Sequence, residues 1–238
     1  MKLKKRVIGF SQIGPSHIRN KLPNQDSFLC HNSRNFSLIV VSDGLGSKKF
    51  SHIGAAAACK SVLKTSKEFV KNKDSTSVKD FFDMISKTWQ SSLMGHKPED
   101  CSATCLFALA TKNKIFIARL GDGMVCSIGK TPDTDKLLFD NKNSTFSNET
   151  YSLSNTNLLS LWEYESLSIN DYKAVLISTD GISTDLQSGS EIEFSKDLVD
   201  TLNSKNYLGK KLVLSRLMKN WPVPKHSDDK TIAIMELS

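Results

Sequence analysis

Two apolar segments of the sequence each end on Asp-Gly, and this pattern restricts the fold more than any other feature. Residues 38–46 read "LIVVSDGLG" and residues 174–181 read "AVLISTDG". A short, unbroken apolar run is typical of a strand covered on both faces. The aspartate presents a carboxylate at a rigid edge, and the glycine lets the backbone approach another group closely. Two such edges in one chain predict a single site to which both contribute.

The other periodicities predict strands at both ends of the chain, with helices between them. Apolar positions recur at helical spacing in 52–71 and 77–95, and two further helices are expected at 195–205 and 209–221. Between 129 and 171 the sequence is polar and indicates only a weak strand at 136–139. This order predicts packed sheets with helices outside. The predicted strands are 5–13, 26–31, 36–42, a pair within 102–128, 172–179 and 230–237.

The chain has 238 residues, which predicts one domain covering 1–238. Its formal charge of +7 raises the question of a nucleic-acid partner. However, the lysines are scattered and no basic run is interleaved with aromatics, which favours a solvated surface. No apolar stretch reaches the roughly 20 residues that span a bilayer, and the five cysteines are odd in number. We therefore expect a soluble cytoplasmic protein with reduced thiols and no membrane partner.

Six aspartates lie at predicted strand ends, without histidine or cysteine beside them in any consistent pattern. Such an oxygen-only set suits Mg²⁺ or Mn²⁺ better than Zn²⁺. Without a cation, the converging carboxylates would repel one another. Aspartate is also a common turn residue, and that alternative stays open for Asp122 and for the doublet Asp228/Asp229. The six are Asp26, Asp43, Asp122, Asp180, Asp228 and Asp229.

An ordered set of motifs, spread over nearly the whole chain, resembles the type 2C metal-dependent protein serine/threonine phosphatases (PPM family), especially their compact bacterial members. The segment "GPSHIRNKLPNQD" is similar to the start of a bacterial subgroup that carries a short Ser-His segment. The motifs are "NQD" (24–26), "VVSDGLG" (40–46), "SAT" (102–104), "ARLGDG" (118–123), "ISTDG" (177–181) and "DDKT" (228–231).

The resemblance implies an α+β fold, in which a central antiparallel β-sandwich is flanked by helices on both sides in four layers (α-β-β-α). It also implies two Mn²⁺ or Mg²⁺ ions at one end of the sandwich. Asp43 would bridge both ions and the Gly44 carbonyl would bind one of them. Asp180 and Asp228 would hold the other, and Asp26 would contact the site directly or through water.

The same resemblance places a third, weaker metal at Asp122. Asp229 falls where the family usually has asparagine, so we expect it to lie next to the metal ligands without binding metal itself. The implied reaction is hydrolysis of phosphoserine or phosphothreonine by a metal-activated water. The substrate would be a phosphorylated protein, such as a partner Ser/Thr kinase, selected by the polar segment 185–194.

The sequence departs from the family in two places. The family's phosphate-holding arginine lies a few residues before the first aspartate, whereas here the nearest candidate is Arg19, seven residues ahead of it. Arg19 is thus either a phosphate ligand or an exposed loop charge. Some members carry a histidine after Asp-Gly as the general acid, where this chain has Leu45; many bacterial members also lack it, which makes a metal-bound water one candidate for the acid. His17 and His52 are candidate substitutes, although a loop or helix-end role is favoured for both.

Two other functions stay open at this point. The displaced arginine would suit a catalytically weak domain that binds phosphopeptides. The positive charge and the acidic cluster would suit a metal-dependent phosphodiesterase or nuclease.

Overall fold

Two five-stranded antiparallel sheets form the centre of the protein in the computed structural model, which describes residues 6–72, 76–139 and 150–237. Sheet one has the strand order β1-β10-β9-β6-β7 and sheet two has the order β2-β3-β4-β5-β8. The strands are β1 Arg6–Gln12, β2 Asp26–Asn32, β3 Ser37–Asp43, β4 Cys105–Ala110, β5 Lys114–Leu120, β6 Met124–Gly129, β7 Lys136–Phe139, β8 Glu163–Ser168, β9 Tyr172–Ser178 and β10 Lys230–Glu236.

Helices cover the outer face of each sheet. One pair packs on sheet two and another packs on sheet one. The predicted α+β sandwich with helices on both sides is therefore confirmed, while a single domain over 1–238 stays a prediction. The helices are α1 Pro15–Asn20, α2 Ser51–Lys71, α3 Val78–Ser91, α4 Asp180–Ser183, α5 Glu191–Asn203 and α6 Tyr207–Lys219, of which α2 and α3 cover sheet two and α5 and α6 cover sheet one.

The apolar run of β3 is explained by its two covered faces. Ile39 and Val41 belong to the core between the sheets, whereas Leu38 and Val40 belong to the core under α2 and α3. Successive side chains of a strand point to opposite faces, so a strand covered on both sides needs apolar residues at every position.

Helix α3 shows how local sequence sets a boundary. Ser77 and Asp80 form a capping box at its start, which satisfies backbone N–H groups that the first turn leaves free. The helix ends at Ser91, earlier than the predicted residue 95: the N–H groups of Ser92 and Leu93 bond to carbonyls three residues back, and Met94 and Gly95 then take positive φ (53° and 86°).

The topology brings the predicted site residues to one end of the sandwich. Asp26 begins β2 and faces Asp43 at the end of β3 in the strand register. Asp180 follows β9, and Asp228 precedes the neighbouring strand β10. Asp122 lies in the turn between β5 and β6.

Two further findings bear on the sequence-based expectations. Across the described ranges, no helix is long and apolar enough to cross a membrane. All five cysteines are free thiols, four of them buried and Cys30 half-buried.

Candidate metal centre

Asp26 and Asp43 form a pair of carboxylates between adjacent strand ends. The Thr179 hydroxyl donates a hydrogen bond to Asp26 Oδ2 over 2.8 Å. Thr104 holds Asp43 through its backbone: the Asp43 N–H donates to Thr104 Oγ1 (2.9 Å), and the Thr104 N–H donates to the Asp43 carbonyl (2.8 Å). These bonds fix both aspartates on rigid elements, which a binding site needs.

The glycines of the two Asp-Gly motifs are required by close backbone packing. A Cβ on Gly44 would lie 2.6 Å from the backbone carbonyl carbon of Ser51, at the start of α2. A Cβ on Gly181 would lie 1.9 Å from the carbonyl oxygen of Asp229. Each glycine therefore lets another element lie directly against the motif, which is why aspartate is followed by glycine in both places.

One cavity of about 190 Å³ opens among these strand ends. Its lining joins residues from both sheets, so the carboxylates from both Asp-Gly motifs face the same space. The lining residues are His17, Gln25, Asp43, Gly44, Leu45, Gly46, Asp122, Thr150, Asp180 and Asp228.

Asp122 is held at the cavity by its turn. The glycines on either side of it have φ of +86° and +114°, conformations that other residues rarely adopt. The Thr150 hydroxyl donates a hydrogen bond of 2.5 Å to Asp122 Oδ2. The turn therefore positions this side chain at the cavity.

The surroundings of these carboxyl groups strongly disfavour their negatively charged form. Burial raises the pKa of Asp26 to about 7, and burial raises the pKa of Asp180 to about 6, with the charge of Asp228 adding to it. The pKa of Asp43 lies well above its ordinary value because of burial, followed by the charges of Asp26 and Asp180. A cation would remove this penalty.

The donor set fits hard divalent ions, because carboxylates and a backbone carbonyl supply only oxygen. Across the described residues, however, no group of three acidic, histidine or cysteine side chains already stands in position to hold an ion. Asp43, Asp122, Asp180 and Asp228 line one cavity and would have to close around an ion that enters it, whereas Asp26 is absent from the lining.

Arg19 and the two candidate histidines differ in position. Arg19 is exposed on α1 and is absent from the cavity lining. His52 lies in the first turn of α2 and is also absent from the lining. His17 does line the cavity, and its Nδ1 lies 2.8 Å from Asp229 Oδ2.

Sequence reasoning missed the roles of Gln25 and Thr150 at the cavity. Gln25 stands next to Asp26 in the "NQD" motif, which was a signal available in the sequence. Thr150 lies 28 residues from its partner Asp122, and no local pattern marks it.

The sequence profile of the protein phosphatase 2C family matches residues 13–217, and the chain therefore belongs to this family. Its members are protein phosphatases that generally use divalent metals. A search of curated protein sequences finds no significant match.

Similar solved structures share the fold at low sequence identity. The chain is 14% identical to a serine/threonine phosphatase from Staphylococcus aureus, with a TM-score of 0.63, covering 100% of this chain and 98% of that one. The S. agalactiae serine/threonine phosphatase is also 14% identical, with a TM-score of 0.64 and coverage of 99% and 100%. A C. elegans sex determining protein is 16% identical with a TM-score of 0.67, and this chain covers only 65% of its length.

Proposed function

We propose that the protein hydrolyses phosphoserine and phosphothreonine in proteins, with Mn²⁺ or Mg²⁺ bound in the aspartate-lined cavity. The observation that carries this proposal is that Asp43, at the end of a sheet-two strand, lines one cavity with Asp180 and Asp228, which flank sheet-one strands. The raised pKa values of Asp43 and Asp180 add support, because such shifts of carboxyl groups in a cleft are typical of functional sites.

The proposed ligands follow the family motifs. Asp43 would bridge two ions, with the Gly44 carbonyl on one of them and Asp180 and Asp228 on the other. Asp26 would support the site directly or through water. A third, weaker ion would bind at Asp122. When bound, the ions would activate a water molecule and neutralise charge on the phosphate.

The chain's own residues would orient this set. Thr179 and Thr104 fix Asp26 and Asp43 through the hydrogen bonds described above. Asp180 lies just after the end of β9 and is the first residue of the short helix α4, so these two elements hold its backbone in place. Preorganised ligands avoid part of the cost of arranging charged groups at the time of reaction.

The substrate would be a phosphorylated protein, and a phosphorylated Ser/Thr kinase is the first one to test. We propose that segment 185–194 contributes to substrate choice. It leads from α4, which begins at Asp180, into α5, and it is anchored by the Trp221 indole N–H, which donates to Asp185 Oδ2 over 2.7 Å.

The experiment that tests this function measures phosphate release from a phosphothreonine peptide with Mn²⁺, with EDTA, and after Asp43→Asn. Asp133→Asn is the matched control, because Asp133 is an exposed acid outside the cavity lining. We expect release that needs Mn²⁺, is lost in Asp43→Asn and is retained in Asp133→Asn. Release with EDTA equal to that with Mn²⁺ would overturn the proposal.

Two other outcomes would support the competing functions. The exposure of Arg19 favours a phosphopeptide-binding domain, which would bind metal and phosphopeptide without releasing phosphate. Faster hydrolysis of bis(p-nitrophenyl) phosphate than of p-nitrophenyl phosphate would indicate a phosphodiesterase.

A further inference from the structure

Asp229 is a buried carboxylate that receives three hydrogen bonds from one region of the chain. It is 2% exposed. Its Oδ1 accepts from the Gly14 N–H (2.6 Å), and its Oδ2 accepts from the Gln25 N–H (2.6 Å) and bonds to His17 Nδ1 (2.8 Å). The bonds join the start of β10 to both ends of the loop that carries α1.

Only a carboxylate can make this set of bonds. An asparagine has one acceptor oxygen, and its NH₂ group would face the N–H of either Gly14 or Gln25. Because the carboxylate oxygens already accept from two backbone N–H groups, the His17 ring supplies the proton of its own bond through Nδ1. Asp229 thereby fixes the orientation of the imidazole.

His17 Nε2 is the ring nitrogen that remains for a ligand. Within the described residues, the structure gives Nε2 no hydrogen-bond partner, and the side chain is 15% exposed where it lines the cavity. Among the described residues that line the cavity, His17 is also the one that can carry a positive charge, since the others are aspartate, glycine, leucine, glutamine and threonine. A phosphate in this cavity therefore meets an imidazole that is already oriented and that donates from Nε2 when the ring is protonated.

We propose that His17 donates a hydrogen bond from Nε2 to the phosphoryl group of the substrate, and that Asp229 is the positioning residue that holds the ring. This inference rests on the proposed phosphatase function and names its phosphate-binding side chain. Arg19, two residues further along α1, is exposed and lies outside the cavity lining. His17 would thus have the phosphate-binding role that the sequence first suggested for Arg19.

The kinetic test compares His17→Ala, His17→Arg and Arg19→Ala on a phosphothreonine peptide and on p-nitrophenyl phosphate, with Asn20→Ala as the control on the same helix. We expect His17→Ala to raise KM about 10- to 100-fold on both substrates, since hydrogen bonds to charged groups are lost. His17→Arg should recover most of that loss, because a guanidinium also binds phosphate. Arg19→Ala and Asn20→Ala should match the unmodified protein.

Asp229→Asn tests the positioning role. We expect it to raise KM as His17→Ala does, and the double variant His17→Ala/Asp229→Asn to be no worse in KM than His17→Ala alone. Thermal unfolding of each variant separates this effect from lost stability. Fully additive effects on KM would show that Asp229 does not act through His17.

A binding measurement gives a result even without turnover. In ¹H–¹⁵N spectra of the imidazoles with Mg²⁺, added inorganic phosphate should shift His17 Nε2 and leave His31 and His96 unchanged, and His17→Ala should weaken phosphate binding about 10-fold or more. An inactive protein that shows this shift would refute the proposed function and keep His17 as the phosphate ligand. Equal phosphate affinity in His17→Ala would overturn the inference. A loss of kcat on the peptide alone, with p-nitrophenyl phosphate unaffected, would also overturn it and assign His17 as a proton donor.

Discussion

Gly44 and Gly46 flank Leu45 in the motif "DGLG" and have different surroundings. A Cβ on Gly44 would lie 2.6 Å from the Ser51 backbone, whereas one on Gly46 would meet only Gln25 Oε1 at 3.7 Å. We expect Gly44→Ala to lower the free energy of unfolding by about 1–3 kcal/mol, because α2 must move away. Gly46→Ala should change it by less than about 0.5 kcal/mol. Urea unfolding of both variants checks this prediction. Equal free energies of unfolding would show that α2 moves away without loss of stability.

The buried aspartates at this end of the sandwich predict an unusual pH dependence of metal-free stability. The pKa of Asp26 is raised to about 7 and that of Asp180 to about 6, so between pH 4 and 7 the folded state binds more protons than the unfolded state. The contribution of these groups to stability is therefore present below pH 4 and is lost as the pH rises toward 7.

Urea unfolding in EDTA at pH 5, 6 and 7.5 measures this slope. Asp43→Asn should flatten it, because the raised pKa of Asp43 itself no longer contributes to the slope, whereas Asp133→Asn should keep it. Mg²⁺ should stabilise the unmodified protein more at pH 7.5 than at pH 5, since protons compete for the same oxygens. A slope that Asp43→Asn leaves unchanged would mean that other groups control it.

Elements with strong periodicity were predictable from the sequence, and those that depend on remote partners were not. The run of β3 and the stripe of α3 gave both elements within a few residues of their true bounds. Strand β8 was missed because its sequence "EYESLS" buries only Leu167. Helix α1 was missed because it buries no residue and has no apolar stripe.

The same distinction holds at the candidate site. The Asp-Gly motifs marked Asp43 and Asp180 because each ends an apolar run. The contacts of Asp229 were not predictable, since its partners Gly14 and His17 lie 215 and 212 residues away in the chain. Local patterns therefore identified Asp43 and Asp180 as residues that reach the cavity, and only the folded chain shows which residues hold one another there.

Helix α6 is joined to β10 by a buried ion pair. The Lys210 ammonium contacts the Glu236 carboxylate, and the two side chains are only 5% and 6% exposed. We expect Lys210→Met to lower the free energy of unfolding by about 3–5 kcal/mol, because it leaves Glu236 buried without its partner. Lys210→Met/Glu236→Leu should recover most of this loss, as apolar pairs often replace buried ion pairs. Urea unfolding checks both variants, and a double variant as unstable as the single one would contradict this account.

At the scale of the whole molecule, the candidate site depends on the packing of the two sheets. Asp26 and Asp43 belong to strands of sheet two, while Asp180 and Asp228 flank strands of sheet one. The core between the sheets includes Val41 and Ile177, both fully buried. Any motion that separated the sheets would divide the carboxylates into two incomplete halves, so ion binding and sheet packing should stabilise each other.

This dependence predicts that the protein unfolds as one unit and that metal stabilises all of it. In hydrogen exchange measured by mass spectrometry, peptides covering β3 and β10 should show the same opening free energy near the global value. Adding Mg²⁺ should raise both by the same amount, since ions that bind only the folded state act on the global equilibrium. Peptides covering α1, which buries no residue, serve as the internal control and should exchange by smaller local openings. If Mg²⁺ protected β10 but not β3, the two sheets would unfold separately and the prediction of one domain over 1–238 would be wrong.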